Sequence, residues 1–271
     1  KIIMKAAAAH LTSVTLELGG KSPTIIDKSA NLDFTVRSVA WIKHYNNGQT
    51  CIAPDYVLIH SSIKDEFIKR YKATLEEFYT SDPKNSKAYS RVVNEKHYNR
   101  LSAAIEDAKT KGAIIESGGH GDDTDYYISP TLLTDLPEDT ILMNEEIFGP
   151  ILPVKTYDTL EGVINYVNSK EKPLALYIFS RNKKVTRTII KHTRAGTTGV
   201  NSVGLQFVNP HLPFGGSNNS GIGKAHGYEG FKSFSNARSV LKHVHWGPIA
   251  WFKPPYTKFI QKLADLTIKW F

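Results

Sequence analysis

The chain has 271 residues, 41% hydrophobic and 22% charged, with a formal net charge of +8. That is an ordinary composition for a soluble globular protein, large enough to bury a sizeable core as one large domain or parts of two. A single cysteine excludes an internal disulfide and makes a reducing compartment the default, and the sequence is expected to carry neither a signal peptide nor a membrane-spanning run of about 18 apolar residues.

Lys1-Ile2-Ile3-Met4-Lys5-Ala6-Ala7-Ala8-Ala9-His10 is alanine-rich and helix-favouring, without an N-cap before it, so the chain is expected to open in mid-helix. Val14, Leu16 and Leu18 then alternate with Thr15, Glu17 and Gly19, which predicts a short strand entering a Gly-Gly turn that permits close backbone approach. Glu17 is expected on the polar face, in partly desolvated surroundings that would raise its pKa towards the range of a general base.

Leu32, Val36, Val39, Ala40, Ile42 and Lys43 have helical spacing, and Asn46-Asn47-Gly48 supplies a helix stop. Cys51 follows directly, and Tyr56-Val57-Leu58-Ile59-His60 reads as a buried strand. A free cysteine is often a small apolar filler. Here Gly48, Gln49, Thr50 and Pro54 are loop-forming neighbours, and rigid elements on both sides suit a nucleophile.

Beyond this, Ile63 to Tyr79 and Tyr98 to Ala108 predict amphipathic helices, joined by a polar link from Thr80 to Lys87. Strands are expected at Ala113 to Glu116, Tyr127 to Leu133, Ile151 to Lys155 and Ala175 to Phe179, with helices at Leu160 to Val167 and Lys183 to His192. Gly118 to Asp123 reads as a surface loop, and Gly196 to Gly204 and His211 to Gly223 as glycine-rich turns that lack the order of a phosphate loop. Alternation of helix and strand predicts an α/β fold with a mainly parallel sheet. Val240 to His245, including His243 and His245, reads as a late strand. From Thr257 onward, Phe259, Ile260, Leu263, Leu266, Trp270 and Phe271 share a helical face opposite most of Lys258, Gln261, Lys262, Asp265 and Lys269, in a tail dense in aromatics that also holds Trp246, Trp251, Phe252 and Tyr256. The histidines show no metal-ligand spacing, so no metal site is expected. The basic residues are scattered without a nucleic-acid motif, which points to a solvated surface.

Leu16-Glu17-Leu18-Gly19-Gly20-Lys21-Ser22-Pro23 followed by Gly48-Gln49-Thr50-Cys51 resembles the glutamate and cysteine signatures of the aldehyde dehydrogenase superfamily. Glu145-Glu146-Ile147-Phe148-Gly149-Pro150 resembles its third motif, and Leu212-Pro213-Phe214-Gly215-Gly216-Ser217 with Asn219-Ser220-Gly221 its fourth. Asn209 to Gly216, His226-Gly227 and Pro254-Pro255-Tyr256 look most like the class 3 and fatty aldehyde dehydrogenase branch.

The resemblance implies Cys51 as the catalytic thiol, Glu17 as the base that activates water, Glu146 as a ligand of the cofactor ribose and Phe148 as the ring bordering the nicotinamide of NAD, with NADP also admissible. It implies an aldehyde dehydrogenase-like catalytic domain over 20–225, preceded at 1–19 by the last elements of a Rossmann-like domain and followed at 226–271 by an oligomerisation strand and an amphipathic tail. Most of the dinucleotide-binding domain and an upstream oxyanion-holding asparagine are expected to lie outside the sequence, so the chain alone is expected to be inactive. Asn201 matches an asparagine the family places near the active-site loop, although a purely structural amide is the preferred reading. The expected substrate is a medium- or long-chain aliphatic aldehyde, with aromatic aldehydes second. The expected assembly is a homodimer without nucleic acid, intracellular, either cytoplasmic or held peripherally on the cytosolic face of a membrane by the tail. Two other readings are a non-catalytic binding or scaffold protein that retains the fold, and an acyltransferase or cysteine hydrolase, against which the full motif set argues.

Overall fold

The structure, a computed structural model, describes residues 1–243, 247 and 253–270. The chain forms two compact units, Lys1–Phe234 and Ser235–Phe271. In the first, α1 (Ile2–Ala8) and β1 (Leu16–Glu17) precede β2 (Pro23–Ile26), α2 (Leu32–His44), β3 (Tyr56–His60), α3 (Lys64–Tyr79) and α4 (Glu95–Thr110). Then come β4 (Ile114–Ser117), β5 (Gly121–Asp122), β6 (Tyr127–Ile128), β7 (Thr131–Thr134), α5 (Ile141–Asn144), β8 (Ile151–Tyr157) and α6 (Leu160–Ser169). The unit ends with β9 (Ala175–Phe179), α7 (Lys183–His192), β10 (Thr197–Val200), α8 (Leu205–Val208), β11 (Gly221–Ile222) and α9 (Gly227–Ser233).

Seven strands form the central sheet in the order β10-β9-β2-β3-β8-β7-β4, and every neighbouring pair is parallel except β4 with β7. The strand sequences explain why the sheet is covered on both faces. Ile26, Val57, Ile59, Tyr177 and Phe179 pack on the side of α2 and α3, against Val36, Val39, Phe67 and Tyr71. Their alternates Ile25, Tyr56, Leu58, Leu176 and Ile178 pack on the other side against Val163, Val167 and Ile189 of α6 and α7. Period-2 strands with both faces apolar meet helices whose buried residues recur every three or four positions. Each fully buried aliphatic or aromatic side chain contributes about 1.5–3 kcal/mol relative to exposure. A further cluster sets Leu101, Ala104, Ile105 and Ala108 of α4 against Ile128, Leu133 and Ile151.

The mainly parallel α/β architecture is the expected one, and α2, β3, β9 and α7 lie where the sequence pattern puts them. Several details differ. The run Tyr127 to Leu133 is broken into β6 and β7, which belong to different sheets, because Pro130 lies between them and has no N–H for a ladder. The loop at Gly118 to Asp123 contains β5, paired with β6, and the turns at Gly196 to Gly204 contain β10, whose glycine spacing hid a parallel pairing with β9. The expected strand around Glu17 is only two residues long, paired with β11.

In the second unit, Val240 to His243 form no strand and pair with none among the described residues; His245, Trp246, Trp251, Phe252 and Phe271 lie outside the described residues. The helix α10 (Lys258–Trp270) forms where the tail pattern predicts it, capped by Thr257, whose hydroxyl accepts from Ile260 N–H at 3.3 Å. Its Phe259 and Trp270 are 71% and 79% exposed.

Candidate active site

Parallel pairing decides where the motifs meet. β2, β3 and β8 are consecutive neighbours in the sheet, and the segments that enter them are the glutamate motif before β2, the cysteine turn before β3 and the Glu145–Pro150 loop before β8. All three therefore lie at the amino-terminal edge of the sheet. The fourth motif joins them through β11, since Leu18 N–H donates to Ser220 O at 3.1 Å and Glu17 pairs with Gly221.

The cysteine turn follows a helix stop that spends three consecutive residues in left-handed backbone: Asn46, Asn47 and Gly48 have φ of 50°, 57° and 73°. Gly48 is required here, because a Cβ would lie 2.3 Å from the carbonyl oxygen of Gly149. This contact locks the cysteine turn to the Glu145–Pro150 loop. Cys51 is half-buried against the core. Burial pushes its thiol above the ordinary value, and the carboxylates of Glu146 and Glu17 push the same way, whereas the N–H groups of Cys51 and Ile52 pull it down. Tyr177 on β9 holds the next residue, donating to Ile52 O at 2.7 Å.

Glu146 is half-buried at this edge of the sheet. Burial raises it to about 7, opposed by a hydrogen bond from Gly20 N–H and by the Lys21 and Arg100 cations, and assisted by Asp55. It rests on Gly19, which has φ of 89° and where a Cβ would lie 2.8 Å from Glu146 Oε1. Glu17 differs from expectation. It stands exposed on the two-residue β1, because that ribbon lies outside the seven-stranded sheet, and its side chain has no hydrogen bond or ion pair among the described residues. The partly desolvated carboxylate expected at Glu17 is found at Glu146 instead. Phe148, with φ of 48° and 40% exposed, stands on the same loop as Glu146.

The residues that assemble these loops escaped the sequence reading. Lys21 pairs with buried Asp55 and donates to Leu142 O at 2.7 Å and Glu145 O at 2.9 Å. Asp55 also accepts from Ile147 N–H at 2.8 Å, and Arg100 of α4 donates to Ile147 O at 2.7 Å. Beneath them Lys43 is 1% exposed, and burial lowers its ammonium to about 8 against the pull of Asp55 and Glu146. Lys21 and Asp55 lie inside or beside quoted motifs, but nothing local signals a pairing across the fold. Asn201 is structural: its Oδ1 accepts from Ser180 N–H at 2.9 Å and its Nδ2 donates to Ser180 O at 3.0 Å, closing the turn after β10.

A cleft of about 590 Å³ opens beside this edge, lined by Gly19, Gly20, Lys21, Glu146, Asn219 and Ser220 among others. Its glycine floor and the half-buried Glu146 carboxylate fit the sugar hydroxyls of a dinucleotide, which such a carboxylate can accept from. A larger cavity of about 820 Å³, at Lys84, Tyr98, Ser117, His120 and Asp122, includes no residue of the four motifs. Among the described residues no group of three or more His, Cys, Asp or Glu is arranged to hold a metal.

Residues 1–240 match the family described as "Aldehyde dehydrogenase family". The chain is 45% identical over 241 residues to "Aldehyde dehydrogenase, dimeric NADP-preferring" of Rattus norvegicus, covering 89% of this chain and 52% of that protein. It is 45% identical to "Aldehyde dehydrogenase family 3 member A2" of Mus musculus, covering 89% and 49%, and 42% identical to "4,4'-diaponeurosporen-aldehyde dehydrogenase" of Staphylococcus aureus, covering 89% and 52%. The chain spans about half the length of the curated relatives it matches. Among solved structures, the substrate-bound state of Staphylococcus aureus AldH superposes with a TM-score of 0.93 at 39% identity, covering 98% of this chain and 57% of that one. Lactaldehyde dehydrogenase from Escherichia coli gives 0.78 at 31% identity, covering 86% and 49%.

Proposed function

Because the chain belongs to the aldehyde dehydrogenase family, we propose that the full protein oxidises an aldehyde to the carboxylic acid through a covalent intermediate on Cys51. What carries this reading is the convergence of the segments that bear Cys51, Glu17 and Glu146 at one edge of the sheet. After the Cys51 thiol gives up its proton to solvent, the thiolate attacks the aldehyde carbonyl and forms a tetrahedral thiohemiacetal, whose oxyanion the Cys51 N–H helps to hold. A bound nicotinamide supplies the two-electron acceptor for oxidation to the thioester. Glu17, exposed and without a side-chain partner among the described residues, then takes a proton from the water that cleaves the thioester and releases the acid.

Glu146 would hold the ribose and Phe148 would border the nicotinamide of NAD or NADP, on a loop pinned by Lys21, Asp55 and Arg100. For the substrate we assign a hydrophobic, medium- or long-chain aliphatic aldehyde, supported by the class 3-like motifs and by the similarity to relatives named "Aldehyde dehydrogenase family 3 member A2" and "4,4'-diaponeurosporen-aldehyde dehydrogenase". A homodimer is supported by the word "dimeric" in the rat relative's name and by β10, which is an edge strand of the seven-stranded sheet among the described residues. The protein is intracellular, and α10 holds it peripherally at the cytosolic face of a membrane, with exposed Phe259, Leu266, Ile268 and Trp270 beside Lys258, Lys262 and Lys269. Comparing kcat/KM of the full protein for hexanal, hexadecanal and benzaldehyde tests the substrate assignment. The longer aliphatic aldehydes are expected to win, and a preference for short polar aldehydes would overturn it.

A further inference from the structure

Gln49 stands two residues before Cys51 and uses its whole side-chain amide. Nε2 donates to Asn46 O at 3.1 Å and to Arg91 O at 3.0 Å, and Oε1 accepts from Val93 N–H at 2.9 Å. In return, Asn46 Nδ2 donates to Gln49 O at 3.0 Å, and the buried Asn47 donates to Ser90 O at 3.2 Å. The side chain therefore acts like an added rung between the cysteine turn and the segment from Ser90 to Val93.

That segment is itself firmly held. Val92 is buried and its N–H donates to Tyr126 O at 3.1 Å; Arg91 donates to Asp125 at 2.7 Å and to Lys84 O at 2.6 Å, with its guanidinium over the Tyr127 ring. The cysteine turn is the opposite case. Two consecutive non-glycine residues, Asn46 and Asn47, hold left-handed backbone, a conformation that persists only where its surroundings over-determine it. On the far side of Cys51, the Tyr177 hydroxyl restrains Ile52. Cys51 is thus strung between two anchors, and Gln49 is the one on its amino-terminal side.

We infer that Gln49 is the positioning residue of Cys51, transferring the fixed backbone of Arg91 and Val93 to the thiol and to the Cys51 N–H. The inference rests on the reading of Cys51 as the nucleophile, and the following experiment separates the two. In the full protein, acylation of Cys51 by p-nitrophenyl acetate is followed as a burst of p-nitrophenolate, and its alkylation by iodoacetamide is followed against pH, with the labelled peptide identified by mass. A displacement of about 1 Å at a reacting atom costs on the order of 10²-fold in rate. Gln49→Ala is expected to slow the burst by about that factor with little change in the ester concentration giving half-maximal rate, and to shift the alkylation profile. Gln49→Glu keeps the acceptor for Val93 N–H but loses both donors, and is expected to slow the burst as well. Because Arg91 holds the carbonyl that Gln49 reads, Arg91→Ala should slow the burst alone and add nothing to Gln49→Ala. Wild-type burst rate and alkylation profile in both Gln49 variants, or strictly additive effects with Arg91→Ala, would overturn the inference. If Gln49→Ala does not fold, the Glu and Arg91 variants give the same decision. A wild-type burst that survives Cys51→Ser would instead sink the nucleophile reading, and the alkylation profile would still decide the role of Gln49.

Discussion

Lys21 and Asp55, 34 residues apart in sequence, form an ion pair whose two partners also hold the loop that presents Glu146. One pair thereby ties together the strand after the glutamate motif, the turn after Cys51 and the loop before β8. Its side chains are only 15% and 4% exposed, so removing one partner leaves the other charge buried and uncompensated. Asp55→Ala is expected to destabilise the protein by about 3–5 kcal/mol, and Asp55→Asn by less, since its amide oxygen still accepts from Ile147 N–H. Urea unfolding checks this; a change below about 1 kcal/mol for Asp55→Ala, the range of exposed pairs, would show that the pair does not hold the site.

Glu146 predicts a pH dependence of stability. Its folded value of about 7 exceeds its ordinary value of 4.5, so between these values the folded chain retains a proton that the unfolded chain releases. The stabilisation is fully present below about pH 4.5, falls as pH rises, and is lost above about pH 7. Glu146→Gln cannot titrate and is expected to flatten this part of the profile. Urea midpoints of both proteins from pH 4 to 8 measure it, and parallel profiles would contradict the burial of this carboxylate.

The sequence made the central elements and the motif residues legible for a physical reason. Fully apolar β9 and sharply amphipathic α7 each bury a face that composition alone defines, and the turn formers at Asn46 to Gly48 stop α2 in the place where Cys51 must emerge. What could not be read depends on distant partners. β10 looked like a turn because glycine at Gly196, Gly199 and Gly204 has no local preference for a ladder, and only pairing with β9 makes it a strand. Glu17 looked half-desolvated because its neighbours are apolar, but Leu18 is itself exposed on a ribbon outside the main sheet. Lys21, Asp55 and Lys43 acquire their roles only when β2, β3 and β8 come together, and Gln49 only when the cysteine turn meets the segment from Ser90 to Val93.

The tail α10 predicts a measurable membrane affinity. Its exposed aromatic and aliphatic face beside lysines matches interfacial helices, and no helix of the described residues is long and apolar enough to span a bilayer. Flotation of the full protein on anionic liposomes should fall when residues 250–271 are removed. Equal flotation of both forms would mean that the tail is not the anchor.

The central claim is that Cys51 forms the acyl intermediate and Glu17 drives its hydrolysis. Mass spectrometry of the full protein carrying Glu17→Gln, quenched after mixing with hexanal and NAD or NADP, tests this most directly. The expected result is one acyl group on the peptide containing Cys51, persisting through many wild-type turnover times, and none when Cys51→Ala is added. Normal steady-state turnover in Glu17→Gln, or dehydrogenase turnover surviving Cys51→Ala, would contradict the account.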